Sequence, residues 1–505
     1  MRKSNIMLIV AAAIISTALS AQTTVLNKKQ LVQKIDSAVK VLMEKISVVP
    51  GLSISLVDET GVLLTKGYGW ADKEASVRAD ENTLFYIASN TKAFMGLAAA
   101  MLDQEKKIFL DSSFKKYFTA IQFKNDISNK VTNRHLLTHT SGLENNAMVF
   151  RMAFSGDIEK QAMLRILSDA TIVKAGPGVF NYDNLGYNIY GLALQEYMNK
   201  KWQDVLQEKI FAPLGMNRTT AYISLAEKNK WIIAAPYNGF GEKGLTKLSM
   251  IKKDNTMQSA GGMVTTASDI SKWLQVQVNH GKLNNKQIFP AELIKSSQTG
   301  YAPYEKGSGP TPTGKYALGW NVSKYEEEDF IFHFGGYPGY KSHLSFMPQK
   351  KIGLAIFVNE GSIGGSVADV VAMYIYDQVR GVADADKSFI SKVEQLQNVQ
   401  QKETEGIQRA FASRASRTSQ LTLPLNEYTG TYKHEWYGDI VITVENNSLA
   451  VSFGNMHTVS TPFTEKETIR IELTPGQGRV ISFKTGEADK IIKLVYDNGE
   501  YKKVK

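Results

Sequence analysis

The 505-residue chain contains no cysteine. That absence excludes disulfides, thiol catalysis, cysteine-ligated metal and a lipid-modified amino-terminal cysteine together, and any nucleophile must be an oxygen or a nitrogen. Past the first two dozen residues, no stretch approaches the roughly 18 uncharged apolar residues that a membrane-crossing helix needs, and the mature part is expected to be soluble. Excess charge of one sign is also scarce. There are 59 basic and 49 acidic side chains, a formal charge of +10, with no Lys/Arg stripe interleaved with aromatics, which argues against a nucleic-acid partner. Glycine (39), proline (13) and an apolar fraction of 43% are ordinary, so collagen-like, disordered and disulfide-scaffold classes drop out. What remains is a folded protein long enough for more than one domain.

Arg2 and Lys3 precede an apolar run from Ile6 to Ile15 and small residues at Ala18, Ser20 and Ala21. These are the three parts of a secretory signal peptide, so residues 1–21 are expected to direct export, to the periplasm or outside, and to be removed. An uncleaved anchor is the alternative.

Leu31, Ile35, Val39, Leu42, Met43 and Ile46 recur at helical spacing, and after Pro50-Gly51 the pattern changes to alternation at Leu52, Ile54 and Leu56. Asp58 to Gly61 reads as a turn and Val62 to Tyr68 as the returning strand, followed by a helical middle with loops at Ser141-Gly142 and Pro177-Gly178. Strand character returns at Leu344 and Phe346 and at Ile352, Leu354, Ile356 and Val358, before a helix expected from Val367 to Val379. The economical arrangement is an antiparallel sheet built from both ends of the segment with a helical region inserted between. Residues 381–420 suit a helical connector. Beyond it, Ile440/Ile442/Val444, Leu449/Val451/Phe453, Ile469/Ile471/Leu473 and Ile492/Leu494/Tyr496 are period-two runs separated by Asn446-Asn447, Pro475-Gly476 and the turn-rich residues 486–489. Residues 421–505 therefore read as a small all-β domain, sandwich or barrel.

Three constellations can carry chemistry. Ser89-Asn90-Thr91-Lys92 opens a helical run, so Lys92 Nζ can approach Ser89 Oγ while the helix start offers N–H donors to an oxyanion. A serine needs a base, and lysine serves only when its pKa is lowered. The pattern alone is weak: roughly three such matches arise by chance in a chain this long, Ser112/Lys115 and Ser113/Lys116 are others, and Ser89 can equally be a plain helix cap. Tyr182 and Asn184, two apart after Pro177-Gly178, can meet that pair, the phenol as a proton shuttle in either protonation state and the amide as a partner of Lys92 or of a substrate carbonyl. Tyr197-Met198-Asn199 is a competing match in a helical run. Third, His333-Phe334-Gly335-Gly336 places glycines directly after a histidine, where a strand edge can come close to a ligand.

In order, these resemble the S-x-x-K, Y-x-N and H-x-G (or K-T-G) motifs of the serine hydrolase superfamily of class C β-lactamases, penicillin-binding DD-peptidases and D-aminopeptidases or esterases. Gly67 to Asp72, His135 to Leu143, Pro177-Gly178, Ala260 to Met263 and Thr266 to Asp269 resemble its recurring segments, over about residues 28–380. The resemblance implies an α+β fold, a β-lactamase/transpeptidase-like domain in which an antiparallel sheet is flanked by helices, within residues 22–380. Tyr428 to Tyr432 resembles the lipocalin-like β-domain appended to some relatives. It implies catalysis by Ser89, Lys92 and Tyr182, with Asn184, His333, Gly335 and Gly336 around the substrate and the oxyanion between the N–H groups of Ser89 and Gly336. His333 would stand where β-lactamases keep a lysine near the substrate carboxylate, as a weaker, pH-dependent cation. Substrates implied are peptide amides containing D-residues, esters or β-lactams, with no metal or cofactor. A non-turnover sensor for cell-wall peptides or β-lactams is the rival reading, and a structural envelope protein the third.

Two decoys are set aside on context. Lys484-Thr485-Gly486 matches K-T-G literally but falls inside the small β-domain, and His135 with His139 lacks the glutamate of a zinc-protease H-E-x-x-H pair.

Overall fold

The computed structural model describes residues 27–121, 123, 129–154, 158–241, 244–305, 311–474, 476–487, 490–497 and 499–504. The expected leader at 1–21 lies outside them, as do Pro475 and Asp489 of the predicted turns. Among the described residues no helix is long and apolar enough to cross a membrane.

Helix α1 (Lys28–Lys45) starts at a capping box, in which Asn27 and Gln30 exchange side-chain-to-backbone hydrogen bonds, and buries Leu31, Ile35, Val39 and Leu42 on one face. The strands β1 (Gly51–Asp58) and β2 (Gly61–Asp72) form the predicted hairpin, its turn fixed by Asp58 Oδ1 accepting the Thr60 N–H at 2.8 Å. Seven further strands complete the first sheet: β3 (Val77–Arg78), β4 (Ala302–Tyr304), β5 (Gly314–Tyr316), β6 (Asn321–Tyr325), β7 (Glu328–Tyr337), β8 (Tyr340–Met347) and β9 (Ile352–Val358). Their order is β4-β5-β6-β7-β8-β9-β1-β2-β3, and β9 pairs antiparallel with β1, Leu52 opposite Val358. Both ends of the domain thus meet at the middle of one sheet.

Side-chain alternation sorts the two faces. Leu52, Ile54, Leu56, Ile352, Leu354, Ile356 and Val358 pack against α1 and against α5 (Gly364–Arg380), while Val57, Ala355 and Phe357 belong to the core on the other face. On that second face lie α2 (Thr91–Gln104), α3 (Leu185–Met198) and α4 (Ala267–Val278). There Gly353 leaves room for Leu274 and Val278 of α4. A long helix, α6 (Ala385–Ala415), follows α5 and packs on it through Phe389, Val393 and Leu396.

The carboxy-terminal domain is a second nine-stranded sheet that curls into a nearly closed barrel. In chain order its strands are β10 (Gly430–His434), β11 (Gly438–Glu445), β12 (Ser448–Phe453), β13 (Met456–Val459), β14 (Thr461–Pro462), β15 (Thr468–Thr474), β16 (Gln477–Thr485), β17 (Ile491–Tyr496) and β18 (Gly499–Lys503). The spatial order is β13-β12-β11-β10-β18-β17-β16-β15-β14. The four period-two runs fall in β11, β12, β15 and β17. The others escape a pattern search because β16 opens on polar Gln477-Gly478-Arg479 and β18 carries a single apolar side chain, Tyr501. The barrel docks on the inserted helical region: Phe150 meets Tyr437 and Phe453 at ring centroid distances of 5.8 and 4.9 Å, and the Asn455 N–H bonds the Phe154 carbonyl at 3.2 Å.

Candidate active site

Ser89 stands in a 3-10 turn, Ala88–Asn90, that runs directly into α2. Every residue of α2 from Thr91 to Leu102 is buried, as expected of a helix apolar on all sides, so Lys92 is delivered into the interior rather than to solvent. The turn is held under strain: Ala88 has φ +44°, and the nearby Met257 and Gln258 have +63° and +46°, the left-handed region that non-glycine residues adopt only when their surroundings enforce it. Asn90 Nδ2 donates to Ser342 Oγ, which donates to the Ile87 carbonyl, both at 2.8 Å, tying the turn to β8. Gly335 on β7 permits this, because a Cβ there would fall on the Ile87 carbonyl oxygen and on Ser342 Oγ.

Lys92 Nζ has three partners: Ser89 Oγ at 3.0 Å, Asn184 Oδ1 at 2.8 Å and the Ala260 carbonyl at 2.8 Å. An amide oxygen and a carbonyl oxygen can only accept. When Lys92 is a neutral amine, its two N–H bonds go to them and its lone pair is left facing the Ser89 hydroxyl. The Ala260 carbonyl is itself fixed, since its own N–H donates to Asn188 Oδ1 at 3.2 Å. Burial depresses Lys92 to about 7, an effect the nearby Asp183 carboxylate partly opposes.

Tyr182 lies across Ser89 from this pair, its ring 5.0 Å from Lys92 Nζ and its phenol hydrogen-bonded to Ser89. Burial raises the phenol above its ordinary value, the Ser89 hydrogen bond opposing and Asp183 adding to the shift. Of the two protonation states open at the level of sequence, the neutral phenol is therefore the resident one. The ring still leaves 44% of the residue exposed, facing the cavity. Asp183 caps α3, its Oδ1 accepting the Gly186 N–H at 3.2 Å; burial raises its carboxyl, the Gly186 and Leu185 N–H groups and Lys92 working against that.

The expectation of a cationic His333 is corrected by its surroundings. Its Nδ1 lies 2.8 Å from the Phe334 carbonyl, which can only accept, so Nδ1 carries the proton and Nε2 accepts from Tyr316 Oη at 3.0 Å. Burial, reinforced by the positive field of Lys92, holds the ring down to about 3. His333 faces the cleft as a neutral imidazole. Together with Ser89, Tyr182, Gly335, Gly336, Phe180, Tyr304, Asn321 and Lys341 it lines a cavity of about 710 Å3.

This geometry has counterparts among known proteins. The Beta-lactamase family model matches residues 35–370. The chain belongs to the β-lactamase family. Residues 414–499 match a second model, a domain of unknown function, DUF3471. Protein flp of Staphylococcus aureus strain MW2 is 27% identical over 335 residues, 65% of this chain and 63% of that protein, so the chain spans just under two thirds of this relative. Unguisins hydrolase of Aspergillus campestris is 24% identical over 415 residues, 78% of this chain and 74% of that protein. The octameric penicillin-binding protein homologue from Pyrococcus abyssi superimposes with a TM-score of 0.59 at 23% identity, covering 93% of this chain and 99% of its own. D-amino acid amidase from Ochrobactrum anthropi SV3 gives 0.56 at 22%, covering 69% and 98%. Both structures share the fold.

Within this β-lactamase-family site, sequence reasoning passed over three residues. His139 is buried against Tyr182 and Tyr316, at ring distances of 4.4 and 4.6 Å, and its Nδ1 accepts the Asp183 N–H at 3.3 Å, steadying the loop that carries Tyr182. Burial, with Lys92 and His333 nearby, holds His139 well below its ordinary value. Tyr316 governs His333. Lys341 stands opposite Gly336 across the β7–β8 hairpin. The Pro338-Gly339 pair is the signal that could have found it: proline followed by glycine at φ +81° is a type II turn that sets Tyr337 against Tyr340 and hence Gly336 against Lys341. His139, set aside above as half of a metal pair, sits here, and the other decoys lie elsewhere. Lys484 and Thr485 are exposed on β16, Tyr197 is 54% exposed on α3, and His135 closes a capping box with Thr132.

Proposed function

We propose that this protein is an exported serine hydrolase that works through an acyl-Ser89 intermediate on peptide amides, preferentially those with D-residues, or on esters or β-lactams. The observation that carries the reading is the set of bonds around Lys92. Two fixed acceptors take the amine protons and direct the lone pair at Ser89 Oγ, which a packing role would not require. Lys92 takes the Ser89 proton as Oγ bonds to the carbonyl carbon. The oxyanion is met by the Ser89 and Gly336 N–H groups. The neutral Tyr182 phenol then gives its proton to the leaving nitrogen or oxygen as that bond breaks, and is reprotonated from the Lys92 ammonium, which holds the proton taken from Ser89. Water completes the cycle by the reverse route. The name of the D-amino acid amidase favours amide-type substrates. A binder that merely holds its ligand without acylation would have no use for a depressed lysine beside the serine.

The test is intact-protein mass against time after adding benzylpenicillin or a p-nitrophenyl ester, for the wild type and Ser89→Ala. A covalent adduct confined to the wild type with at least one of them is expected; no Ser89-dependent adduct or hydrolysis with either overturns the reading. An adduct that persists without release would favour the binder.

The same geometry fixes a pH dependence. The base is active as the free amine, so kcat/KM is expected to climb with pH through about 7 and level off above it. Because His333 is already neutral there, His333→Gln is expected to keep that limb in place. A limb that disappears in the variant would assign the titration to the imidazole instead.

A further inference from the structure

We propose that the carboxy-terminal barrel positions the catalytic groups of the neighbouring domain, by bracing the helix Asn146–Phe154 whose closing carbonyls hold both the acceptor of Lys92 and the strand of Gly336. The inference rests on the acyl-serine reading above and gives the second domain a part in it. The closing carbonyls of a helix have no partner inside it. Here three in succession are taken by three different segments. The Met152 carbonyl accepts the Met257 N–H at 2.7 Å, the Ala153 carbonyl accepts the Tyr337 hydroxyl at 2.9 Å, and the Phe154 carbonyl accepts the Asn455 N–H of the barrel at 3.2 Å.

Two of these bonds end beside the chemistry. Met257 opens the turn that closes on Ala260, whose N–H is shared between Asn188 and the Met257 carbonyl and whose own carbonyl accepts from Lys92 at 2.8 Å. With Met257 and Gln258 both at positive φ, that turn needs holding from outside. Tyr337 directly follows Gly336 on β7, so fixing its hydroxyl fixes the proposed oxyanion donor. The third bond is one of several by which the barrel grips the helix. Arg151 Nη1 donates to the Trp436 carbonyl and Arg165 Nη2 to the Glu435 carbonyl, both at 3.4 Å. A ladder of rings runs alongside, from Tyr437 and Phe453 of the barrel through Phe150, Phe154 and Tyr337 to Tyr86, at centroid distances of 4.9 to 6.3 Å. Close-packed rings yield little to compression, so the seat of the barrel is felt at the Ser89 turn.

Tyr437→Ala removes a barrel ring from Phe150, Tyr437→Phe keeps it, and Ile471→Val loosens the barrel core at β15, outside these contacts. Backbone hydrogen exchange, read by mass in the full chain, reports the brace directly. In Tyr437→Ala, peptides over 257–261 and 334–337 are expected to exchange about tenfold faster while β1 and β9 stay unchanged. The other two variants are expected to match the wild type. Acylation of Ser89 by benzylpenicillin or a p-nitrophenyl ester is expected to slow by about tenfold at saturation in Tyr437→Ala, with the half-saturating concentration within about twofold, because the displaced groups act in bond making. Phe150→Leu opens the same contact from the helix and is expected to act likewise should Tyr437→Ala not fold. Unchanged exchange in the two segments, unchanged acylation, or acylation slowed equally in Ile471→Val overturns the inference. If neither compound acylates the wild type, the acyl-serine reading falls and exchange alone decides: a rise confined to the two segments upholds the brace, and no change or a uniform rise refutes it.

Discussion

Lys92→Met is expected to lower kcat/KM by about a thousandfold or more, with the folded chain retained. Methionine keeps most of the volume inside a helix buried on every side, so the core around Phe94, Met95 and Leu97 has little reason to move. What disappears is the one basic nitrogen facing Ser89. Neither neighbouring group can replace it: burial holds His333 and His139 as weak bases, and Tyr182 is a phenol whose proton burial makes harder to remove. The variant also leaves Asn184 Oδ1 and the Ala260 carbonyl without their donor. A thermal melt beside the kinetics therefore separates chemistry from stability. A Lys92→Met protein that melts like the wild type and still acylates within tenfold would remove Lys92 from the role of base and move attention to Tyr182.

The degree to which this site was legible follows from where its information lies along the chain. Ser89 and Lys92 are three residues apart, and local helical geometry alone brings Nζ to within 3.0 Å of Oγ. Tyr182 and Asn184 came into view because they sit together on a loop before an apolar helix. The sheet was legible for a similar reason, since alternation at Leu52 to Leu56 and at Ile352 to Val358 marks strands whatever their partners. Charge was not. His333 looks like a titrating cation as a residue type, but its protonation is set by Tyr316, by the Phe334 carbonyl and by Lys92, which the fold brings together from distant parts of the chain. Asp183 is a case with the opposite sign: it neighbours Tyr182 in sequence, and in the fold its Oδ1 caps α3. Lys341 needed strand register, a property of two segments rather than one. The barrel's missing strands needed closure of the whole sheet, which gives polar stretches such as Gln477 to Arg479 their backbone partners.

Gly335→Ala is expected to disable the site through the fold. The Gly335 backbone is not in the left-handed region, so the demand for glycine is steric. A methyl group there would fall on the Ile87 carbonyl oxygen and on Ser342 Oγ, two atoms already bonded to each other at 2.8 Å. Neither is the free end of a flexible side chain. One is backbone of the segment leading into Ser89, and the other is held by Asn90 Nδ2 at 2.8 Å. Relief requires β7 to withdraw from the Ser89 turn, and overpacking of this kind costs about 1–3 kcal/mol. The expected catalytic loss is comparable in size, because Gly336 moves with β7 and a shift of about 1 Å in the proposed oxyanion donor lowers rate by about a hundredfold. Gly336→Ala is the control on the stability side: its Cβ would meet only Lys341 Nζ at 3.4 Å and Cδ at 3.8 Å, the mobile end of a side chain, so urea unfolding should barely change. Equal unfolding midpoints for Gly335→Ala and the wild type would show that β7 and the Ser89 turn are not locked together. A lowered midpoint with Ser89 acylation slowed by about a hundredfold would show that the approach of these two backbone segments builds the oxyanion site.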